Sequence, residues 1–128
     1  GERVKFFPPV PSNQVAERLA QADAGVYPAI PDAHMDIAIP TKVLEFTVMG
    51  LPVIASRITV IEQLFPAGLA YLFTPGSVQE FADCVEQVIS NPDEVKQKLA
   101  NIEKELLPLW TWDAEAEKYF ALLTNLVK

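Results

Sequence analysis

Three polar residues at the start of an apolar segment have a spacing that suits the binding of a phosphate and a sugar ring. In the segment PTKVLEFTVMGLPVIAS, residues 40–56, Thr41 and Glu45 are four positions apart, so a helix stacks them one turn above the other. Lys42 lies in the first turn, where unpaired backbone N–H groups and the positive end of the helix dipole attract a phosphate. A carboxylate at Glu45 can accept two hydrogen bonds from a diol such as a ribose. The same spacing also fits an ordinary helix-favouring acid, because short patterns of this kind are common.

The elements that position these residues are a predicted helix and a strand that follows it directly. The helix is predicted over Thr41–Met49, and its apolar side carries Val43, Leu44, Thr47 and Val48. Gly50 supplies the positive φ that a helix end often needs, and Pro52 prevents the helix from continuing. The unbroken apolar run Val53–Ala55 is typical of a strand that is buried on both faces, as in a parallel sheet.

The rest of the chain alternates short apolar strands with helices. Strands are predicted at Arg3–Phe7, Ala24–Tyr27, Val53–Ala55 and Leu69–Phe73. Further helices are predicted from Ser12 to about Ala22, from Thr59 to Leu64, after a capping box formed by Ser77 and Glu80, from Asn91 to Pro108, and from Trp112 to Val127. This order predicts an α/β fold with a doubly wound, Rossmann-like parallel sheet. Ligands of such sheets bind beyond the carboxyl ends of the strands, so the loops 8–10 and 29–40 and the start of the Thr41 helix are expected to converge on one cleft.

Aromatic and sulfur-containing side chains outside this cleft are interpreted as packing. Trp110 and Trp112 flank the start of the last helix, and such aromatics anchor a helix more often than they stack on a sugar. The predicted buried side of that helix carries Trp112, Ala116, Tyr119 or Phe120, Leu123 and Val127. Cys84 lies beside the apolar stripe of its helix without a histidine partner nearby, so we predict that it packs.

The composition is that of one soluble globular domain, with 50% hydrophobic and 21% charged residues. The net charge of −7, with Lys and Arg scattered singly, argues against nucleic acid or an anionic membrane as the main partner. One cysteine excludes an internal disulfide, and one histidine without a cysteine cluster excludes a metal site built from His and Cys. No apolar run reaches the ~20 residues of a membrane span. The cytoplasm is therefore the expected compartment, and peripheral attachment of a full-length protein to a membrane stays open.

Two segments carry a resemblance to a known family. The segment at 40–56, together with QADAGVYP at 21–28, resembles the C-terminal, donor-binding domain of GT-B fold glycosyltransferases of the family 4 type. In that family a lysine, a glutamate and a GxPV turn hold a sugar nucleotide. The resemblance implies that the helix start binds the diphosphate and that Glu45 binds the ribose. The residues of that helix start are Thr41, Lys42, Val43 and Leu44. It also implies that the loop Pro8–Val10, with Pro9 and Val10, lies near the base.

The activity implied by the resemblance is transfer of a sugar, with retention, from a nucleotide diphosphate sugar to an acceptor, without a cofactor or metal. The donor would be a UDP-, GDP- or ADP-sugar. Residues 1–128 are then expected to be a single, partial nucleotide-sugar-binding domain, because the chain begins GERVKFF without a methionine and lacks the family's first donor-domain strands and its N-terminal acceptor domain. We expect such a fragment to be inactive alone, and a homodimer through its open sheet edge is one alternative for its oligomeric state.

The loop before the helix departs from the family's pattern at one position. Ile37 stands eight positions before Glu45, where the family has an acid that contacts the donor sugar. Asp36 is next to it and is the candidate catalytic residue if the loop shifts by one position, whereas His34 and Asp32 are interpreted as solvated. Ile37 favours the alternative of a non-catalytic nucleotide-sugar-binding module or a degenerate glycosyltransferase-like module. A dehydrogenase-like or response-regulator-like domain is less favoured, because neither a GxGxxG fingerprint nor an acidic phosphorylation pocket is evident.

Overall fold

The computed structural model describes residues 3–32 and 37–127, and within them it forms a mixed α/β fold around one parallel sheet. The strands are β1 at Gly25–Tyr27, β2 at Val53–Ser56 and β3 at Tyr71–Phe73, in the order β1-β2-β3. The register pairs Gly25 with Val53 and Ile54 with Tyr71. The predicted α/β class and parallel sheet are confirmed, with three strands in the described part of the chain where four were predicted.

Helices connect the strands and continue after them. They are α1 at Val15–Leu19, α2 at Thr41–Val48, α3 at Thr59–Leu64, α4 at Val78–Ser90, α5 at Pro92–Glu105 and α6 at Trp112–Leu126. Short 3₁₀ turns occur at Ser12–Gln14, Pro66–Gly68 and Leu107–Trp110. Helix α2 connects β1 to β2 and α3 connects β2 to β3, as parallel pairing requires. None of the helices in the described ranges is both long and apolar enough to cross a membrane.

Strand β2 lies at the centre of the sheet, and all its residues are buried. Successive side chains of a strand point to opposite faces, so β2 contributes to two separate cores. On one face Val53 and Ala55 join a cluster with Val43 of α2, Ile61 of α3 and Ile102 of α5. On the other face Ile54 packs in a cluster with Tyr71, Phe73 and Cys84 of α4. The sheet is therefore covered by α2, α3 and α5 on one face and by α4 on the other.

The junction between α2 and β2 brings the helix close to the first strand. Gly50 has φ of +71°, and its N–H donates to the carbonyl of Thr47 at 3.0 Å, as the predicted helix end requires. The ring of Phe46 lies directly over Gly25, where a Cβ atom would be only 2.3 Å from two ring carbons. Glycine in β1 therefore permits the close packing of α2 on the sheet.

Half of the capping box predicted for α4 is formed. The Ser77 hydroxyl accepts from the backbone N–H of Glu80 at 3.3 Å. The Glu80 carboxylate does not bond back to Ser77, whose N–H donates to the carbonyl of Thr74. It accepts instead from the N–H of Thr74 at 2.6 Å, and this hydrogen bond lowers the pKa of the Glu80 carboxyl. The turn Thr74–Ser77 is thus held to the first turn of α4 by a charged acceptor.

Of the predictions for the first 22 residues, the strand is wrong and the helix is confirmed only in part. Residues 3–7 form no strand, and Phe6 is 95% exposed, because no neighbouring strand pairs with this segment in the described part of the chain. The predicted helix Ser12–Ala22 is a 3₁₀ turn followed by the five-residue α1, and Ala22 is exposed. A segment with the composition of a strand forms one only when a neighbouring strand pairs with its backbone N–H and C=O groups.

The last helix forms as predicted, but its predicted buried side is wrong. Helix α6 has no buried residue, and Trp112 is 80% exposed. Trp110 does anchor the preceding turn, with its ring edge-on to Phe65 at a centroid distance of 5.8 Å and an interplanar angle of 78°. The interpretation as packing is therefore confirmed for Trp110 and wrong for Trp112.

Replacing Gly25 with alanine should lower the free energy of unfolding by about 1–3 kcal/mol, because the new methyl group collides with Phe46. Urea unfolding followed by circular dichroism measures the loss. In a Phe46→Ala background the ring atoms are gone and only the Cβ contact at 2.7 Å remains, so the added cost of Gly25→Ala should be roughly halved. An equal cost in both backgrounds would contradict the contact as the cause.

Glu80 should make the stability of the protein depend on pH. Its pKa is lowered from the ordinary value of 4.5, so its hydrogen bond stabilises the fold above that pH and is lost as the pH falls through the lowered value. Between pH 6 and pH 3, the wild-type protein should therefore lose more stability than Glu80→Gln, as measured by urea unfolding at each pH. Glu86→Gln, which changes an exposed acid of the same helix, is the matched control. Parallel profiles for the wild type and Glu80→Gln would refute the assignment.

Candidate functional site

The N-terminus of α2 presents unpaired backbone donors to solvent. Pro40 precedes the helix in an extended conformation, and its carbonyl accepts from the N–H of Val43 at 3.0 Å. Within the described residues, the N–H groups of Thr41 and Lys42 have no hydrogen-bond acceptor, as is usual for the first positions of a helix. Both side chains are exposed. Two free amides, a hydroxyl and an ammonium group therefore share the positive end of one helix, where an anion is favoured.

Glu45 follows one turn later and lines a cavity between α1 and α2. This cavity, called here the α1–α2 cavity, has a volume of about 340 Å³. Its lining residues are Ser12, Val15, Ala16, Leu19, Leu44, Glu45, Val48 and Met49. Glu45 is the one ionisable residue of this lining, and no salt bridge of the described residues engages it. The cavity therefore combines an apolar wall with one carboxylate that can accept hydrogen bonds from a ligand.

Two residues of α2 fix the rotation of the helix, which in turn determines where Glu45 points. Both Val43 and Thr47 are buried, and Val43 packs in the cluster with Val53 and Ala55 of β2. The Thr47 hydroxyl donates to the carbonyl of Val43 at 2.7 Å, so even its polar atom is satisfied inside the helix. Val43 therefore contributes to the site by anchoring α2, with its side chain in the core. Val48, which was predicted to be buried with them, is exposed instead and lies at the rim of the cavity.

The loop Pro8–Val10 lies at a different cavity from Glu45. Pro9 and Val10, with Phe7 and Arg18, line a cavity of about 480 Å³ on α1. The Arg18 guanidinium lies over the Phe7 ring at 5.5 Å from its centroid. This cavity shares no lining residue with the α1–α2 cavity, although α1 contributes to both. Leu44 and Glu45 therefore line one cavity, and Pro9 and Val10 line another.

The loop before α2 is described only in part. Ile37 is 81% exposed, whereas Asp36, the candidate catalytic residue, and His34 lie outside the described residues. Among the residues that are described, no group of three His, Cys, Asp or Glu side chains could hold a metal ion. Cys84 is buried in the cluster between the sheet and α4, and this burial raises the pKa of its thiol. The prediction that Cys84 packs is confirmed.

One polar residue at the carboxyl edge of the sheet was missed by the sequence analysis. Ser56, the last residue of β2, is fully buried, and its hydroxyl has no hydrogen-bond partner among the described residues. It lines a further cavity at the carboxyl ends of all three strands. The signal that could have found it is a serine that closes the buried apolar run VIAS, at the edge where parallel sheets bind ligands.

Comparison with known proteins gives one match. Residues 1–91 match the family model described as "Glycosyl transferases group 1". The matched range includes the three strands of the sheet, α2 with the candidate site, and α4. Searches of the curated proteins and of the solved structures gave no match.

Proposed function

Because this chain belongs to the glycosyl transferases group 1 family, we propose that it is the donor-binding part of a retaining glycosyltransferase. The enzyme would move a sugar from a nucleotide diphosphate sugar to an acceptor. The observation that carries this proposal is the start of α2, where two unpaired amides and Lys42 lie one turn from the Glu45 carboxylate at the mouth of an apolar cavity. These are the groups that a diphosphate and a ribose need.

In the proposed complex the diphosphate lies at the N-terminus of α2. The N–H groups of Thr41 and Lys42 donate to its oxygens, and the Lys42 ammonium adds a positive charge beside them. This arrangement stabilises the negative charge that develops on the departing diphosphate, so that it assists transfer by electrostatics without a metal ion. The acid nearest to the family's sugar-contacting position is Asp36, which we propose as the residue that contacts the donor sugar.

The nucleoside lies along the α1–α2 cavity in this proposal. The Glu45 carboxylate accepts hydrogen bonds from both ribose hydroxyls, and Leu44 with the apolar side chains of α1 forms the wall behind the ring. Pro9 and Val10 are only two or three residues before Ser12, which lines the same cavity. We propose that the base extends past Ser12 toward the loop Pro8–Val10, which lines the other cavity on α1. The proposed donors are UDP-, GDP- and ADP-sugars, and we propose that a separate domain binds the acceptor.

A second candidate function is binding of a nucleotide sugar without transfer. The specific observation in its favour is Ile37, an exposed apolar side chain at the position where the resembled family has an acid. Because this chain is expected to be inactive alone, binding and transfer are separated in a longer protein that also contains the acceptor-binding domain, by incubating it with a labelled nucleotide sugar and an acceptor and following both the bound and the transferred label. Binding alone supports the second candidate, and label on an acceptor supports the first.

Two substitutions should affect different parts of the bound nucleotide. Glu45→Gln should weaken binding of both a nucleoside and its diphosphate about 10-fold, or ~1.4 kcal/mol, because a charged acceptor for the ribose is lost. Lys42→Ala should weaken binding of the diphosphate by a similar factor and leave the nucleoside unchanged. Isothermal titration with uridine and UDP, guanosine and GDP, and adenosine and ADP measures the affinities.

Matched controls for these substitutions lie elsewhere on the surface. Glu86→Gln in α4 and Lys104→Ala in α5 change exposed residues of the same types outside the α1–α2 cavity. They should leave every affinity unchanged. Equal losses for nucleoside and diphosphate in Lys42→Ala, or unchanged binding in Glu45→Gln, would contradict the proposed roles.

A further inference from the structure

The four residues before α2 have no polar side-chain atom. Residues 37–40 read Ile-Ala-Ile-Pro, and none of these side chains carries a hydrogen-bond donor or acceptor. Ile37 is 81% exposed and Ile39 is 54% exposed. Pro40 has an extended conformation, with φ of −75° and ψ of 112°, and leads directly into Thr41. Two exposed isoleucines therefore precede the helix start at which the diphosphate is proposed to bind.

Chain geometry keeps both isoleucines near that helix start. Successive Cα atoms are about 3.8 Å apart, so the Cα atom of Ile39 lies at most ~7.6 Å, and that of Ile37 at most ~15 Å, from the Cα atom of Thr41. In the proposed complex the donor sugar is bonded directly to the diphosphate that the N–H groups of Thr41 and Lys42 hold. The sugar is therefore within reach of both isoleucine side chains.

Isoleucine side chains distinguish the parts of a sugar by their polarity. A hydroxyl group placed against an isoleucine loses its hydration and gains no hydrogen bond in return. A methyl group placed there removes apolar surface of both partners from water, which is favourable. Single exposed apolar residues are ordinary, but two of them beside a proposed ligand site form a surface that the ligand can cover. The segment 37–40 therefore favours a sugar with an apolar substituent.

We propose that Ile37 and Ile39 contact the donor sugar and select a 6-deoxyhexose, in which a methyl group replaces the hydroxymethyl group of the common hexoses. The C6 methyl group is the one wholly apolar substituent that such a ring carries, and it packs against the two side chains while the ring hydroxyls stay hydrated or bind elsewhere. This inference rests on the proposed function, because the position of the sugar follows from that of the diphosphate. It adds the class of sugar.

Contact of the same isoleucines with a separate protein domain is the alternative to contact with the sugar. Such a contact makes no use of the C6 group of the sugar, so this chain would then bind donors with a methyl and with a hydroxymethyl group equally well. The ratio of the two affinities, measured on this chain, therefore distinguishes the two occupants.

The test is isothermal titration with donor pairs that differ only at C6. The pairs are UDP-glucose and UDP-6-deoxyglucose, GDP-mannose and GDP-6-deoxymannose, and ADP-glucose and ADP-6-deoxyglucose, and UDP, GDP and ADP are titrated beside them. On the nucleotide that binds, the 6-deoxy donor should bind about 10-fold more tightly, as expected for one small apolar contact. Equal or weaker binding of the 6-deoxy donor, with the nucleotide still bound, would overturn this inference alone. Absence of binding by all three nucleotides would overturn the proposed function, and this inference with it.

A double substitution assigns the preference to the two isoleucines. Ile37→Ser combined with Ile39→Ser removes both apolar side chains from exposed positions, so the fold should be retained. The preference for the 6-deoxy donor should fall from about 10-fold to less than twofold. Ile89→Ser is the matched control, because Ile89 is 74% exposed in α4 and should leave the preference unchanged. A preference that persists in the double variant, or that is lost in Ile89→Ser as well, would refute the assignment.

Discussion

The burial of β2 on both faces is the constraint on which the rest of the structure depends. Because β2 has no solvent-facing side, it needs a helix layer on each face, and the chain supplies α2, α3 and α5 on one and α4 on the other. The position of α2 follows from this packing. Val43 and Thr47 are both buried, Val43 in the cluster with β2, and the rotation they impose leaves Glu45 exposed at the α1–α2 cavity. The candidate site is therefore a consequence of how the core is packed.

The same constraint places two different surfaces at or near the carboxyl edge of the sheet. On the α2 side, unpaired amides and a lysine provide a polar, positively polarised helix start. On the α4 side, the cavity is apolar, and the nearby Glu80 carboxylate is already engaged by a backbone N–H. Ligands of parallel sheets bind beyond this edge, and the two faces present surfaces of different polarity to it.

The sequence predicted best those elements whose signals are local. The bounds of α3 agree with the prediction, Gly50 has the expected positive φ, and Pro92 begins α5 as its position before an apolar stripe indicated. The positions of Thr41, Lys42 and Glu45 on one short helix followed from spacing alone, although whether they bind a nucleotide stays a prediction.

The failures share a different cause, which is dependence on distant partners. Residues 3–7 have the composition of a strand but pair with no other strand in the described part of the chain. Helix α6 has an apolar stripe, but none of its residues is buried in the described part of the chain, so a pattern that normally indicates burial is mostly exposed. The Glu80 carboxylate accepts from the N–H of Thr74 and not from the N–H of Ser77 that the capping box predicts. The turn that follows β3 brings Thr74 within reach. Ser56 was also missed: its place at the end of the buried run VIAS is visible in the sequence, but its lack of a hydrogen-bond partner among the described residues depends on the elements packed around it.

Binding of a nucleotide diphosphate at the start of α2 can be measured by an NMR titration of the ¹⁵N-labelled chain with UDP, GDP and ADP in parallel. Saturable shifts are expected at the amides of Thr41, Lys42 and Glu45, and they should be larger for one nucleotide than for the other two. The amides of α4, which covers the opposite face of the sheet, should stay unchanged. Absence of shifts at the start of α2 with all three nucleotides, while amides elsewhere respond, would show that α2 does not hold the diphosphate.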